Sequence, residues 1–142
     1  MTDTYYGTKK ITAWRQVNAA DESVEGYAVK YEDGYTSWSP KDVFENTYRK
    51  SGEMNFGHAI MALQEGKKIA RSGWNGHGMF LILVFGSVLS TFRPESAYAN
   101  HFSERVTIDP HIDMRTAKGT MQPGWLASQA DMLADDWQVV DE

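Results

Sequence analysis

The strongest constraint on the fold is the segment GWNGHGMFLILVF, residues 73–85. Its second half, residues 79–85, is a run of seven apolar residues, which suits one strand at the centre of a sheet. Its first half places three glycines around Trp74 and so predicts a flexible turn. We therefore expect two strands, residues 67–74 and 79–85, that are joined by this turn, and we expect the second strand to be buried.

A helix is predicted immediately before these strands, in the segment NFGHAIMALQEG at residues 55–66. Its apolar residues recur at helical spacing, Asn55 is a favourable N-cap, and Gly66 is a favourable end. This helix should pack its apolar side against the predicted sheet.

The C-terminal half predicts further strands and a second short helix. Residues 106–125 read as strands on either side of a turn at residues 117–119. LASQADMLADD, residues 126–136, predicts a short helix, and WQVVDE, residues 137–142, predicts a closing strand. Residues 86–105 are polar, aromatic and without a clear period, so they receive no assignment.

The N-terminal segment predicts a hairpin followed by a helix. GYAVKYEDGYTSW, residues 26–38, alternates apolar and polar residues on both sides of an Asp33-Gly34 turn. SPKDVFENTYR, residues 39–49, predicts a helix with Ser39 as its N-cap and Pro40 at its first position.

Together these patterns predict an α+β fold. The main unit is a small antiparallel β-sheet packed with one or two short helices, and a small β-hairpin and helix precede it. We expect two domains, residues 1–52 and 53–142, with residues 50–53 as the linker between them.

Composition excludes several functional classes. The chain has no cysteine, so disulfides, thiolate metal sites and thiol nucleophiles are absent, which fits a reducing cytosol. The net charge of −5 over 142 residues argues against nonspecific binding to DNA or RNA. No apolar run approaches the roughly 20 residues of a membrane helix, and the N-terminus lacks the apolar core of a signal peptide.

The charge is nevertheless distributed unevenly. Residues 67–118 contain seven lysines and arginines against four acids, whereas residues 119–142 contain five acids and no lysine or arginine. A small anion could therefore bind in the basic middle of an acidic protein.

The residues needed for catalysis do not form a recognisable motif. The four histidines, His58, His77, His101 and His111, are not spaced like metal ligands, and no nucleophile elbow or phosphate-binding loop is present. A metal site formed by His101, His111 and Asp113 would require the fold to bring them together. No cofactor is expected.

Three acids near the C-terminus form the only evident carboxylate cluster. Asp131 lies near the start of the predicted short helix, where a negative charge suits the helix dipole. Asp135 and Asp136 are expected to be solvated.

Two segments have the chemistry of nucleotide recognition. SGWNGHG, residues 72–78, offers an indole ring for stacking, an amide for paired hydrogen bonds and glycines that let a ligand approach the backbone. GWLASQ, residues 124–129, repeats this combination before a helix. These features favour a nucleotide-like ligand. A tryptophan between glycines can also simply cover a hydrophobic core, and that alternative stays open.

Residues 54–140 resemble the second Thoeris anti-defence family, which phages encode. The resemblance rests on the segments GKKIARSGWNG, HIDMRTA and GWLASQADMLADDW, which occur in the family's order. The family pattern commonly has Lys at the position of His77 and Thr at the position of Ala130. In addition, GYTSWSPKDVFENTYR in residues 1–52 resembles a short domain of other phage proteins, to which we assign no function.

The resemblance implies a non-enzymatic protein that binds and sequesters an immune signal. Members of the family hold cyclic ADP-ribose-type signals, such as glycocyclic ADP-ribose, and thereby silence Thoeris defence in the cytoplasm of the infected bacterium. Some members also hold cyclic dinucleotides, which extends the expected targets to CBASS defence. They are homotetramers, dimers of dimers, with ligand sites between subunits.

The expected ligand-binding residues lie within residues 54–140, the region that carries the resemblance. Trp74 and Trp125 are expected to stack on the ligand, while Arg71 and Arg115 are expected to bind phosphate, although surface ion pairs are the alternative for both arginines. The full set is Arg71, Trp74, Asn75, Gly76, His77, Arg115, Thr116, Trp125, Ser128, Gln129 and Asp131.

Two other functional classes remain open at this point. One is a phosphodiesterase-like enzyme that cleaves the same signals. The other is a virion or host-interaction module, and this interpretation rests on the aromatic N-terminal segment.

Overall fold

The structure, a computed structural model, describes residues 1–140 and has the predicted α+β fold. Asp141 and Glu142, the end of the predicted closing strand, lie outside the described residues. No helix among residues 1–140 is both long enough and apolar enough to cross a membrane. The elements are β1 (Thr12–Arg15), β2 (Gly26–Lys30), β3 (Thr36–Pro40), α1 (Lys41–Thr47), α2 (Phe56–Gln64), β4 (Ile69–Arg71), β5 (Phe80–Val84), β6 (Ser87–Leu89), α3 (Ala97–His101), β7 (Val106–Ile108), β8 (His111–Arg115), β9 (Met121–Gln122), α4 (Gln129–Met132) and β10 (Trp137–Val139).

The N-terminal segment forms a three-stranded antiparallel sheet, in the order β1-β2-β3, with α1 packed on it. The predicted hairpin of β2 and β3 is confirmed, and its turn contains Gly34 at φ +91°, a conformation that favours glycine. The third strand, β1, was not predicted. Helix α1 packs on the sheet through Phe44, whose ring stacks on Tyr27 with 4.0 Å between centroids.

The predicted N-cap of α1 is wrong. The helix begins at Lys41, its N-cap is Pro40, and no side chain caps it. Ser39 instead belongs to β3, where it pairs with Tyr27, so its backbone is held extended by the sheet. The strand therefore continues to Pro40, and the Lys41 amide donates to the carbonyl of Glu25 at 3.1 Å.

Helix α2 begins as predicted. The side-chain oxygen of Asn55 accepts a hydrogen bond from the His58 amide at 2.9 Å, while the Asn55 amide donates to His58 Nδ1 at 3.2 Å. This reciprocal arrangement satisfies two amides at the helix start that would otherwise lack partners. Gly66, at φ +85°, follows the helix end.

The main unit is a five-stranded antiparallel sheet in the order β10-β4-β5-β8-β9, which places the predicted apolar strand β5 at its centre. Every second residue of a strand faces α2, because successive side chains point to opposite faces of a sheet. Ile69 pairs with Leu81, and both side chains are fully buried. The core cluster comprises Met54, Ala59, Ala62, Leu63, Ile69, Leu81 and Trp137.

The expectation that the whole 79–85 strand is buried is wrong. Within it only Leu81 is buried, and Phe85 is 60% exposed. Helix α2 covers one face of the sheet, whereas Phe80, Ile82 and Val84 point to the other face and are half-buried.

Residues 85–110 form an arm that prolongs the β5–β8 hairpin. Strands β6 and β7 pair antiparallel, and the loop between them contains α3, a helix that was not predicted. The arm exposes large apolar side chains, among them Val88 at 52% and Phe102 at 51%.

Residues 50–53, the predicted linker, form a turn that is hydrogen-bonded to β10. The Gly52 amide donates to the carbonyl of Trp137 at 2.9 Å, and the Val139 amide donates to Ser51 Oγ at 2.8 Å. An ion pair between Arg49 and Asp135, at 2.7 Å, also joins the two segments. The independence of residues 1–52 and 53–142 stays a prediction.

Candidate functional site

Most of the predicted ligand-binding residues lie at one end of the five-stranded sheet. Arg71 at the end of β4 pairs with Trp137 at the start of β10, and Phe80 at the start of β5 pairs with Arg115 at the end of β8. The loops that leave these strands therefore emerge at the same end. We call this region, residues 72–79, 116–120 and 123–136, the loop end.

Three tryptophans and a phenylalanine form an aromatic cluster beneath the loop end. Trp74 and Trp125 are half-buried and contact each other nearly edge-on, with 6.4 Å between ring centroids. Both contact the fully buried Trp137, at 5.5 and 6.3 Å, and Phe56 of α2 contacts Trp125 and Trp137. Trp74 and Trp125 thus pack against the core, as in the alternative interpretation, and keep part of their surface exposed. Their stacking on a ligand stays a prediction.

Arg71 is engaged by two carboxylates of the same chain. Its Nη1 donates to Asp131 Oδ1 at 2.9 Å, and its Nε donates to Asp136 Oδ1 at 2.9 Å. Its side chain is only 20% exposed. The guanidinium therefore forms the ion pairs that the alternative interpretation expected, and its binding of phosphate stays a prediction.

The two carboxylates also hold the glycine-rich loop. Asp131 Oδ1 accepts a hydrogen bond from the indole Nε1 of Trp74 at 3.2 Å. Asp136 Oδ2 accepts one from the Gly73 amide at 2.9 Å. The expectation of a solvated Asp136 is wrong, because the side chain is 28% exposed and is turned towards Arg71 by the loop before β10. Asp135, by contrast, is 68% exposed and pairs with Arg49.

These contacts change the protonation equilibria of all three charged groups. Burial raises the pKa of Asp131, but the hydrogen bonds from Arg71, Ser128 and Trp74 outweigh burial and hold that pKa below its usual value. The hydrogen bond from Arg71 lowers the pKa of Asp136, and the two carboxylates raise the pKa of Arg71. Both aspartates are therefore ionised at neutral pH.

Helix α4 begins at the end of GWLASQ, residues 124–129, the second segment predicted to recognise a nucleotide. Ser128 caps it by accepting a hydrogen bond from the Asp131 amide at 3.0 Å, and Asp131 Oδ2 accepts from the Ser128 amide at 3.4 Å. Ser128 thus caps the helix, and its contact with a ligand stays a prediction. The next residue, Gln129, is exposed, and its side-chain amide has no hydrogen-bond partner among residues 1–140.

The glycine-rich loop exposes Asn75 and His77, which also lack hydrogen-bond partners in the described part of the chain. Between them Gly76 approaches the 116–120 turn closely. A Cβ on Gly76 would lie 2.9 Å from the Ala117 Cβ, nearer than real Cβ contacts allow. The two loops therefore meet only because residue 76 has no side chain.

Arg115 and Thr116 leave the sheet at the same end, but Arg115 points to the other face. Met114 packs against the core, so the adjacent Arg115 projects away from α2. Arg115 is half-buried and has no ion pair within residues 1–140. Thr116 Oγ1 contacts Thr120 Oγ1 at 2.7 Å and closes the turn. One chain therefore places Arg115 and the aromatic cluster on opposite faces of its sheet.

A His111–Asp113 pair was not predicted as such. His111 Nδ1 lies 2.7 Å from Asp113 Oδ1, and the Gly124 amide also donates to this oxygen, at 3.2 Å. The spacing of the two residues in β8 places both side chains on one face, which alternation could have revealed. His101 lies in α3 and does not join them, and residues 1–140 contain no group of three potential metal ligands.

Several cavities of the described chain lie elsewhere on the molecule, and two of them are adjacent. These two have volumes of about 690 and 370 Å³, and both are lined by Lys9, Lys10, Met61 and Glu65. None of the predicted ligand-binding residues lines either cavity.

Comparison with known proteins places the loop end within a matched domain. A family model described as Thoeris anti-defense 2-like domain matches residues 54–140. Thoeris anti-defense 2 of Bacillus phage SP01 is 35% identical over 91 residues, which cover 62% of this chain and 96% of that protein. The family-model match over residues 54–140 includes all of the predicted ligand-binding residues.

We predict that the carboxylates around Arg71 make stability fall in acid. Because the folded-state pKa of Asp136 is lowered, its stabilising contribution is present above the unfolded pKa and is lost as pH falls through the folded pKa. Asp136→Asn should cost about 1 kcal/mol at pH 7, and its melting temperature should approach that of wild type below about pH 4.

The measurement is thermal unfolding followed by circular dichroism between pH 7 and pH 3. Asp135→Asn is the matched control, since it removes a mostly exposed carboxylate that pairs with Arg49. A constant difference between Asp136→Asn and wild type over this pH range would contradict the assignment.

Proposed function

Because the chain belongs to the Thoeris anti-defense 2-like family, we propose that it binds and sequesters a cyclic ADP-ribose-type immune signal without cleaving it. By this activity it would act against Thoeris defence in the cytoplasm of an infected bacterium. The observation that carries the proposal is the loop end, where half-exposed tryptophans lie beside polar side chains that have no hydrogen-bond partner within the described 140 residues.

The chemistry of the loop end suits a nucleotide-like ligand. An indole ring offers a face for an adenine base, and such stacking contributes about 1–3 kcal/mol per base. The amides of Asn75 and Gln129 can form paired hydrogen bonds with base or ribose edges, and His77 adds a third polar group. Cyclic dinucleotides share the same base and phosphate groups, so we include them, and with them CBASS defence, among the candidate targets.

Arg115 is our candidate for the phosphate contact. It is half-buried and has no ion pair in the described chain, so its guanidinium remains available for bidentate binding of a phosphate. Arg71 is a weaker candidate, because a phosphate would have to displace two carboxylates from it.

Sequestration rather than cleavage fits the protonation of the loop end. A general acid works best when its pKa lies near the working pH. The pKa values of Asp131 and Asp136 are instead lowered, so both remain ionised and hydrogen-bonded at neutral pH. We propose no cofactor for this site and no binding of DNA or RNA polymers.

We further propose that the protein is a homo-oligomer, most simply a tetramer built as a dimer of dimers, with the ligand between chains. Two observations support a site shared between chains. Arg115 and the aromatic cluster lie on opposite faces of one sheet, and the arm exposes Phe85, Val88 and Phe102. Exposed aromatic and aliphatic groups of this kind are typical of interface cores.

The first test separates sequestration from cleavage. The purified protein is incubated with a cyclic ADP-ribose isomer, heated until it unfolds, and the released ligand is identified by mass spectrometry. We expect the ligand to return intact and in stoichiometric amount. A hydrolysed product that increases with time would instead favour the enzyme, and a lack of any binding would reject the proposal.

The second test concerns Arg115. Arg115→Gln should weaken binding about tenfold or more, since hydrogen bonds to charged groups contribute about 1.5–3 kcal/mol. It should also reduce the dependence of affinity on salt, because fewer phosphate charges are then neutralised by the protein.

Isothermal titration at several salt concentrations measures both effects. Arg105→Gln removes the same charge from the arm and is the control, for which we expect unchanged affinity. Equal losses in the two variants would exclude a specific phosphate contact by Arg115.

The third test concerns assembly. Light scattering of the wild-type chain should give the mass of four chains, and replacing Phe85 and Val88 together by Ser should give smaller species. Tyr35→Ser removes an apolar residue that is 65% exposed on the N-terminal segment and should leave the mass unchanged. A monomer that binds the ligand tightly would show that the site is complete in one chain.

A further inference from the structure

We propose that Asp131 is the positioning residue that orients the Trp74 ring at the loop end. It would act on bound ligand through Trp74 and not by contacting the ligand itself. The part of this inference that concerns ligand rests on the proposed function, whereas the part that concerns the ring does not.

Both carboxylate oxygens of Asp131 accept hydrogen bonds from its own chain. Its Oδ1 accepts hydrogen bonds from Arg71 Nη1 at 2.9 Å and from Trp74 Nε1 at 3.2 Å, and its Oδ2 accepts from the Ser128 amide at 3.4 Å. The side chain is only 14% exposed. A ligand hydroxyl or base would therefore find little of this group accessible.

The same residue reaches a second ring of the aromatic cluster through its backbone. The carbonyl of Asp131 accepts a hydrogen bond from Trp137 Nε1 at 2.9 Å. Trp137 is fully buried, so this bond fixes Asp131 relative to the core. The side chain of Asp131 then transmits that fixed position to Trp74, which lies in a loop with glycines on both sides.

The loop needs such an anchor because its own sequence provides little rigidity. Gly73, Gly76 and Gly78 surround Trp74, and glycine loses more conformational freedom on ordering than any other residue. A ring held before the ligand arrives binds with a smaller entropy cost than a mobile ring. The hydrogen bond to Asp131 is charge-assisted, since the carboxylate is ionised, and such bonds are stronger than neutral ones.

Asp131 differs in this respect from its neighbour Asp136. Asp136 also pairs with Arg71, but its other contact is the Gly73 amide, and it has no hydrogen bond to the indole. Replacing each aspartate separately therefore distinguishes loss of the indole contact from loss of the ion pair.

The test begins with the protein in the absence of ligand. The chain has five tryptophans, so a nitrogen-15 spectrum contains five indole N–H signals, and Trp74→Phe identifies the signal of Trp74. In Asp131→Asn and Asp131→Ala we expect this signal to shift and its exchange with solvent to become about tenfold faster or more. In Asp135→Asn it should stay close to wild type, and in Asp136→Asn its exchange should change less than in the Asp131 variants, because the indole keeps its acceptor.

The indole signal of Trp137 reports on folding in the same spectra, because its acceptor is a backbone carbonyl that the substitutions retain. If Asp131→Ala does not fold, Asp131→Asn carries the test alone, since it has nearly the same shape. Unchanged exchange at the Trp74 indole in a folded variant would overturn the proposal.

The second arm uses binding of a cyclic ADP-ribose isomer in a double-mutant cycle. If Asp131 acts through the ring, Asp131→Asn should weaken binding about tenfold in wild type and have little further effect in the Trp74→Ala background. Additive losses would show that Asp131 contacts the ligand directly and would overturn the proposal. Failure of wild type to bind would reject the proposed function, while the exchange experiment would still decide whether Asp131 positions the ring.

Discussion

The burial of Trp137 is the interaction on which most of this structure depends. Its backbone pairs with β4 on one side and with Met54 on the other, so one residue joins the sheet to the segment that precedes α2. Its ring is fully buried among Phe56, Trp74 and Trp125. An indole of this size contributes a large share of the core of a small domain, and its N–H must find a partner when it is buried. The partner is the carbonyl of Asp131, which fixes α4 as well.

This arrangement gives the candidate site its foundation. The rings proposed to face the ligand are continuous with the core, so packing that stabilises the fold also limits the motion of the recognition surface. If they bind ligand as proposed, Trp74 and Trp125 have two roles that a single substitution cannot separate. Separating them requires changes in residues such as Asp131, which contact the ring without being part of the core.

The two arginines near these rings differ in the charged groups that surround them. Asp131 and Asp136 neutralise Arg71 at the edge of the cluster, where both lowered pKa values keep the pairs charged. Arg115 emerges on the opposite face and has no such partners among residues 1–140. An anion would therefore encounter one available guanidinium and one that is already compensated. The sequence predicts phosphate binding by both arginines alike, and only their surroundings in the fold distinguish them.

Local signals in the sequence determined much of this protein. The cap at Asn55, the glycine-rich turn before β5 and the 117–119 turn depend on nearby residues, and all occur where the patterns predict them. The helix predicted over residues 126–136 is also present, but only as Gln129–Met132. The motifs of residues 54–140 were also sufficient for the family, because a family is defined by sequence. Both kinds of information are local, and neither depends on which surfaces finally meet.

The tertiary structure alone decided the features that depend on contacts between distant residues. Ser39 is a good cap in isolation, but pairing with β2 extends the strand through it. Asp136 looks solvated by position, yet it is turned towards an arginine that lies 65 residues earlier in the chain. The run in β5 looks fully buried, but the sheet has α2 on one face, and burial depends on what covers a strand as well as on its own residues. Sequence spacing does not predict these contacts, because each depends on how whole elements pack against one another.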